Sequence, residues 1–432
     1  AESGDLVVPY YNYAPRYDKP PLTFWLSTIF IKLFGPTELA VRLVSTLFGV
    51  GGMVLTALIG RKLFNKEVGI GLVDTALSFF IALTIYASWL VFTEKRPQYY
   101  LLLFTAAGLG ILVKGPIALL FPGAIIFFWL SWRKSLHQLA RPWFWIGLAA
   151  LGIVALPWHL AIWQREGMTW INSSFGYHMF TRFTQGIEEH GQPFYYYIII
   201  ILAGFAPWSP LFWSLIRENI ALFRNKAQLS PATKLLLWWF GVIFLFFSIA
   251  QTKLPGYIVP TFIPLAIIVA HWLQKGREEK QIKPILFEYM LSSIIIAVII
   301  SVALLAIGNQ IPSEYLKIYR LAFFFPLLLL VSSVFIWWTS RKLAGTQPLL
   351  IVIVLVALLS STLFSLVIQP ATELFKPVRP LALAAKEIVT SHHQVISLLG
   401  DASSTFYLQR KVIYSFGEDR LLQLIEASNQ PL

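Results

Sequence analysis

The sequence predicts an all-α polytopic membrane bundle, about eleven spans visible, with a small C-terminal α/β domain outside the membrane. Three observations predict it. Of 432 residues, 57% are hydrophobic and only 13% charged, where a soluble domain carries about 25% charged residues. Mean hydropathy is +0.68. Apolar runs of about 20 residues recur, the length that crosses a bilayer as a helix, and the period-two alternation of a membrane β-barrel is absent.

The candidate spans are roughly 39–63, 72–93, 98–113, 116–132, 143–163, 195–216, 234–251, 256–274, 284–307, 320–338 and 348–369. The net charge of +13 falls in short clusters between them, as Arg61/Lys62/Lys66, Lys95/Arg96 and Arg133/Lys134/Arg141 illustrate. Basic loops face the cytoplasm. Nucleic-acid binding is excluded because no basic helix or aromatic-basic groove accompanies the charge. There is no Cys, which excludes disulfides, thiolate metal sites and Cys nucleophiles.

From Lys95 onward every second loop is basic, so Lys114-Gly115-Pro116, residues 164–194, Gln251 to Gly256, residues 308–319 and everything after about 370 lie outside. Lys66 and Lys95 both belong inside, yet one span separates them. The parity predicts a segment missing between about Gly69 and Asp74. The start at Ser3-Gly4-Asp5 is polar and turn-rich, has no signal-peptide pattern, and reads as mid-protein. The run from Pro20 to Phe34 is too short to span and is expected to lie flat at the outer interface. Residues 1–370 form the membrane domain. Residues 371–432 alternate β-prone runs (Val395-Ile396-Ser397, Val412-Ile413-Tyr414) with helical sequence, and read as the start of a soluble α/β domain cut short at Leu432.

Outer cations should be thinned by the positive-inside rule, so Arg16, Lys19, Lys114, Arg182 and Lys253 stand out. Singly, each reads as a snorkelling anchor. Together on one face they fit a lipid-phosphate site. Asp18 and Asp74 are the outer carboxylates available as base or metal ligand; ion pairing and helix capping are their plainer roles. In the loop Phe175 to Pro193, His178 and Arg182 are four apart and share a helix face. His178, His190 and Asp18 are a possible set for a divalent cation, although no metal-site spacing such as His-Glu-x-x-His occurs. His159 in Pro157-Trp158-His159 is expected to pack at the interface. No Walker loop, dinucleotide turn or nucleophile elbow is present, so a soluble nucleotide donor has no seat. A polyprenyl-lipid carrier or flippase is the competing class, and would need charges at mid-membrane, where the spans hold few.

In order along the chain stand Asp5-Leu6-Val7-Val8-Pro9, Tyr17-Asp18-Lys19-Pro20-Pro21-Leu22, Arg42-Leu43, Asp74-Thr75-Ala76-Leu77, Leu112-Val113-Lys114-Gly115-Pro116, Pro157-Trp158 and Thr252-Lys253-Leu254-Pro255-Gly256-Tyr257. As a set over about residues 3–270 they resemble the bacterial branch of the protein O-mannosyltransferase superfamily, and within it the aminoarabinose transferases that modify lipid A. The resemblance implies the glycosyltransferase C architecture with thirteen spans, so one would be missing at each of the two suspected places. It implies a polyprenyl-phosphate (undecaprenyl-phosphate) sugar donor, 4-amino-4-deoxy-L-arabinose as the sugar, lipid A or another envelope glycan or protein as acceptor, and no required cofactor. The setting is a monomer in the bacterial inner membrane with its active site facing the periplasm. Lys19 becomes a phosphate ligand and Asp18 the counterpart of an acidic family position. Asp74 matches a second one. Arg16, Tyr17, Lys114, His178, Arg182, His190, Lys253 and Tyr257 complete the expected substrate site. The family's principal catalytic Asp lies upstream of the segment matching Glu2-Ser3-Gly4-Asp5 and is not in this chain; Asp5 does not replace it.

Overall fold

The computed structural model describes residues 4–64, 76–184, 192–206, 208–217, 229–278, 282–308, 316–341, 351–352, 354–356, 358–359, 362, 378–389, 395–397 and 402–414. These are overwhelmingly helical. Among them six helices are long and apolar enough to cross a membrane: Glu38–Phe64, Pro142–Tyr177, Pro231–Ile249, Pro255–Gly276, Lys283–Ala306 and Tyr319–Trp338. The protein is a multi-pass membrane protein. The suspected gap near 69–74 and the expected span 348–369 fall largely outside the described residues.

The chain divides into two compact units. One comprises Ala1–Pro9, Tyr17–Ile296 and Leu329–Val354; the other comprises Tyr10–Arg16, Ala297–Leu328 and Leu355–Leu432.

In the first unit, α1 (Leu22–Phe34) follows Pro20-Pro21 and spans 13 residues with none buried. At about 1.5 Å per residue it is too short to cross about 30 Å of hydrocarbon. α2 (Glu38–Phe64) leads on to a tight core of α3 (Ala76–Phe92), α4 (Tyr99–Lys114) and α5 (Ile117–Trp132). α3 is the most enclosed, with Ile81, Ala82 and Ala87 fully buried. That is why it is apolar on every side rather than striped. α4 and α5 form a hairpin joined only by Gly115 and Pro116. Gly115 takes φ +74° and its amide bonds to the Ile111 carbonyl at 2.8 Å, and Pro116 precedes the first turn of α5. Lys114 is thereby fixed at the tip.

α6 (Pro142–Ile171) lies along α4, and Gly147 permits the approach: a Cβ there would meet Phe104 Cδ2 at 2.4 Å and the Tyr100 carbonyl at 2.8 Å. The expected span of 143–163 is too short, and the loop 164–194 is correspondingly over-long. The helix continues to Ile171, changes direction at Gly167 (φ 54°, ψ −133°), and runs on as a π-helix over Asn172–Thr181. The expected span 195–216 is not one straight helix either. Tyr196–Gly204 ends and a 3-10 turn, Ser209–Leu211, begins with Pro210 in it, where proline supplies no amide donor.

In the second unit, β1 (Tyr10–Tyr11) and β2 (Ala14–Pro15) form an antiparallel hairpin. Its central residues Asn12 and Tyr13 have φ 49° and 62°, the type I′ geometry of two-residue hairpins. β3 (Val395–Ser397) and β4 (Val412–Tyr414) pair in parallel across the helix Ala402–Leu408, with Ala382, Leu408 and Val412 as their small core.

Candidate active site

The segment entering α1 is held by an ionic network that sequence reading misses. Asp5 Oδ1 accepts the amides of Val7 and Val8 at 2.9 and 3.1 Å, and its Oδ2 pairs with Arg165 at 2.8 Å. Burial pushes the Asp5 carboxyl up, but those two amides and the Arg165 guanidinium outweigh it, so the group sits below the usual carboxylate value. Asp5 is an ionised structural anchor. Arg165 also reaches Glu166 at 3.8 Å, and Glu166 Oε2 accepts the Tyr17 hydroxyl at 2.6 Å. Ser174 donates to the Tyr17 carbonyl at 2.5 Å. Two indoles close the frame: Trp25 donates to the Leu6 carbonyl at 2.9 Å and Trp158 to the Val7 carbonyl at 2.8 Å. Beneath them Leu112, Trp158, Ile162 and Trp170 form a core against which Val7, Tyr17, Leu22 and Trp25 pack. The available signal for Arg165 and Glu166 is their adjacency just past the apolar run of α6, on the side that parity assigns to the outside.

Leu112 belongs to that core, so the Tyr17-Asp18-Lys19 segment enters beside the last turn of α4, which ends at Lys114. The Lys114 ammonium stands 5.1 Å from the Tyr257 ring centroid, and Tyr257 stacks on Phe247 at 5.1 Å. The ring is set by a compact corner. The helix Pro231–Ile249 stops at Ala250, the Gln251 amide bonds to the Phe183 carbonyl at 3.0 Å, and Tyr197 donates to the Leu254 carbonyl at 3.2 Å. Lys253 is only 5% exposed and donates to the Ala250 carbonyl at 2.6 Å. Burial pulls its ammonium below the ordinary lysine value. Its charge is aimed at a helix C-terminus rather than outward.

The remaining expected residues divide. Asp18 is half-buried and Lys19 exposed at the mouth of α1. Arg16 lies in the second unit, its guanidinium 4.9 Å from the Tyr11 ring. His178 and Arg182 fall on the π-helix and the short helix Arg182–Thr184; their side chains, together with Asp74 and His190, lie outside the described residues. Among the described residues no three His, Cys, Asp or Glu groups gather as a metal set. His159 packs against the rings of Trp158 and Trp170, its Nδ1 2.7 Å from the Ala155 carbonyl, as expected for an interfacial His. An apolar groove of about 430 Å³ runs past it, lined by Pro116, Leu156, Trp163 and Phe175 among others.

A polytopic helical bundle with Lys114 and Tyr257 brought together at the α4–α5 tip defines the class as a multi-pass membrane protein. The comparisons narrow the class. Residues 18–73 and 70–163 match the dolichyl-phosphate-mannose-protein mannosyltransferase family. An undecaprenyl phosphate-alpha-4-amino-4-deoxy-L-arabinose arabinosyl transferase of Pseudomonas fluorescens is 27% identical over 374 residues, covering 80% of this chain and 63% of that protein. The one of Edwardsiella ictaluri is 30% identical over 299 residues, covering 63% and 52%. The crystal structure of ArnT from Cupriavidus metallidurans bound to undecaprenyl phosphate superposes with a TM-score of 0.76 at 20% identity, over 98% of this chain and 81% of that one. The chain is similar to the aminoarabinose transferases and, over residues 18–163, to the protein mannosyltransferases, and has the ArnT fold. It spans less than two thirds of the length of these curated relatives.

Proposed function

We propose that this protein is an integral membrane glycosyltransferase that moves a sugar from a polyprenyl-phosphate donor to an acceptor at the outer face of the bacterial inner membrane. The sugar favoured by the named relatives is 4-amino-4-deoxy-L-arabinose and the acceptor is lipid A; a protein or other glycan acceptor is the alternative within the superfamily. The observation that carries the reading is the Lys114–Tyr257 pair at the α4–α5 tip, with Tyr17-Asp18-Lys19 entering beside the same end of α4.

The donor phosphate sits between Lys19 and Lys114, and Lys253 acts on it at a distance. The sequence adds Arg16 and Arg182 as further cations and Tyr17, Tyr257, His178 and His190 as polar contacts. The acceptor oxygen attacks the anomeric carbon as the carbon–oxygen bond to the phosphate breaks, and the bonding pair leaves with the polyprenyl phosphate. Fixed cations aimed at that growing charge lower the barrier. A phosphate acceptor arrives ionised. A hydroxyl acceptor must lose its proton, and Asp18 or Asp74 is positioned by sequence to take it. The reaction needs no cofactor. A divalent ion between Asp18 and His178 is a subsidiary proposal, read by whether chelator slows transfer. Residues 371–432 we read as belonging to a soluble α/β domain outside the membrane, on the strength of the parallel β3–β4 pair.

The test is Lys19→Ala assayed with labelled donor lipid. Transfer should vanish while helical content and thermal midpoint are kept. Wild-type turnover in that variant would overturn the assignment.

A further inference from the structure

The opposite end of the helical core holds a charge imbalance that the transfer reaction does not use. α5 has 16 residues, about 24 Å, so its last residue, Trp132, stands a full helix length from Lys114. There the Arg133 guanidinium lies 4.6 Å from the Trp129 ring centroid and donates to Thr93 Oγ1 at 3.2 Å. From a different helix, Pro231–Ile249, the Lys234 ammonium lies 4.8 Å from the Trp132 ring centroid. Trp129 and Trp132 are three apart and share a face of α5. The Trp129 indole donates to the Pro231 carbonyl at 2.9 Å, which ties the end of α5 to the start of the helix that carries Lys234. Arg133 and Lys234 therefore flank one pair of indoles, and Lys134 follows directly in the chain.

Among the described residues these cations have no counter-charge. The sequence has no Asp or Glu between residues 95 and 165, nor between 219 and 277, the two stretches that build this corner. The neighbouring acid, Glu94, is taken by Lys62 at 3.0 Å and Arg96 at 3.4 Å. Among the described residues no carboxylate pairs with Arg133, Lys134 or Lys234. A guanidinium backed by an indole and bonded through one nitrogen keeps its other donors for an anion from outside. The surrounding surface says where that anion comes from. Phe127, Phe128 and Trp132 are 49%, 41% and 43% exposed in the last turns of the apolar helix α5, and aromatic rings at the end of an apolar helix suit a headgroup boundary.

We propose that this corner binds the phosphate of an anionic membrane phospholipid. Arg133 and Lys234 hold the phosphodiester from two helices, Lys134 adds charge at the rim, and Phe127, Phe128 and Trp132 seat the upper acyl chains. The site stands independently of the transfer reaction. It pins α5 to the helix Pro231–Ile249 at the end remote from the Lys114–Tyr257 pair.

The test is native mass spectrometry of the full chain in detergent, titrated with phosphatidylglycerol or phosphatidylcholine. The wild type should retain phosphatidylglycerol in preference. The double variant Arg133→Gln with Lys234→Gln should lose roughly thirty-fold in affinity for it, the combined effect of two surface cations. Lys62→Gln, at the neutralised cluster, should not. If the double variant fails to fold, Lys234→Gln alone should still weaken phosphatidylglycerol binding at unchanged helical content. Equal retention of both lipids by the wild type, or wild-type affinity in a folded variant, overturns the proposal. So does full displacement of the lipid by millimolar inorganic phosphate, which would mark a site for a soluble anion.

Discussion

The Tyr17 hydroxyl donates a 2.6 Å hydrogen bond to Glu166 Oε2, joining the segment that carries Lys19 to the end of α6 149 residues later. Because the acceptor is charged, the bond contributes on the order of 1.5–3 kcal/mol. Tyr17→Phe should lower the thermal midpoint and reduce donor-lipid transfer, since Lys19 lies two residues on. Glu166→Gln keeps an acceptor oxygen and should cost less than Glu166→Ala. Differential scanning fluorimetry beside a transfer assay separates the two effects.

The tip lysine gives a second prediction. A cation over a phenol ring is worth about 0.5–1 kcal/mol at an accessible site. Tyr257→Leu also gives up the stack on Phe247, worth about 0.5–1.5 kcal/mol, so it should lower the thermal midpoint modestly. It should slow transfer, because the Lys114 ammonium loses the face that orients it. Lys114→Met should slow it further. Steady-state kinetics on donor lipid would reveal the ranking, and an unchanged rate in both variants would contradict the placement of the phosphate.

Acid stability should depend on Asp5. Its carboxyl sits below the ordinary 3.8 in the folded protein, so the folded state favours the ionised form. The stabilisation is present above that value and is lost as the pH falls below it through the folded pKa. Asp5→Asn should lower stability at neutral pH and flatten the acid limb of the stability profile. Thermal midpoints measured across the acid range give the slope directly.

Packing of α6 on α4 should be intolerant of one methyl group. At Gly147 a Cβ would stand 2.4 Å from Phe104 and 2.8 Å from the Tyr100 carbonyl, and the carbonyl cannot rotate away. Gly147→Ala should cost about 1–3 kcal/mol, read as a lower thermal midpoint. Gly123→Ala, on α5 with nothing within 4 Å of its Cβ position, should be neutral.

In the second unit the side chain of Asn12 acts as a strand partner. Its amide donates to the Val412 carbonyl at 2.6 Å, while its oxygen accepts the Val412 amide at 2.9 Å and Thr405 Oγ1 at 3.0 Å. Asn12→Ala leaves Val412 unpaired on that side, at a cost of about 1–3 kcal/mol. Hydrogen exchange at Val412 should speed up, with α4 unaffected.

Hydropathy alone makes the helices legible, because a lipid-facing or core-facing span needs a long apolar run whatever its partners. Where the reading fails, local geometry is decisive. Arg165, Glu166 and Gly167 break the apolar run and so predict an irregular loop after Trp163. Those charges are instead satisfied by Asp5 and Tyr17, so the helix carries on. Lys114 at the end of α4 is legible in Lys-Gly-Pro, a sequence that stops one helix and starts another. The orientation of Lys253 is not: a lysine beside Pro and Gly reads as exposed until the helix end at Ala250 is seen to claim its ammonium. The indole donors Trp25 and Trp158 are equally hidden, since each lies inside an apolar run that gives no sign of the loop carbonyl it binds.

Gly167 divides one long helix into a beam and a separately steered arm. Glu166 is the last residue of the beam and His178 rides on the arm. A side chain at position 167 would have to adopt a backbone angle that L-residues avoid, so the hinge angle is written into that single missing Cβ. Both pieces end on Tyr17: Glu166 of the beam takes its hydroxyl and Ser174 of the arm holds its carbonyl, so the angle set at Gly167 is also the spacing of that two-point grip.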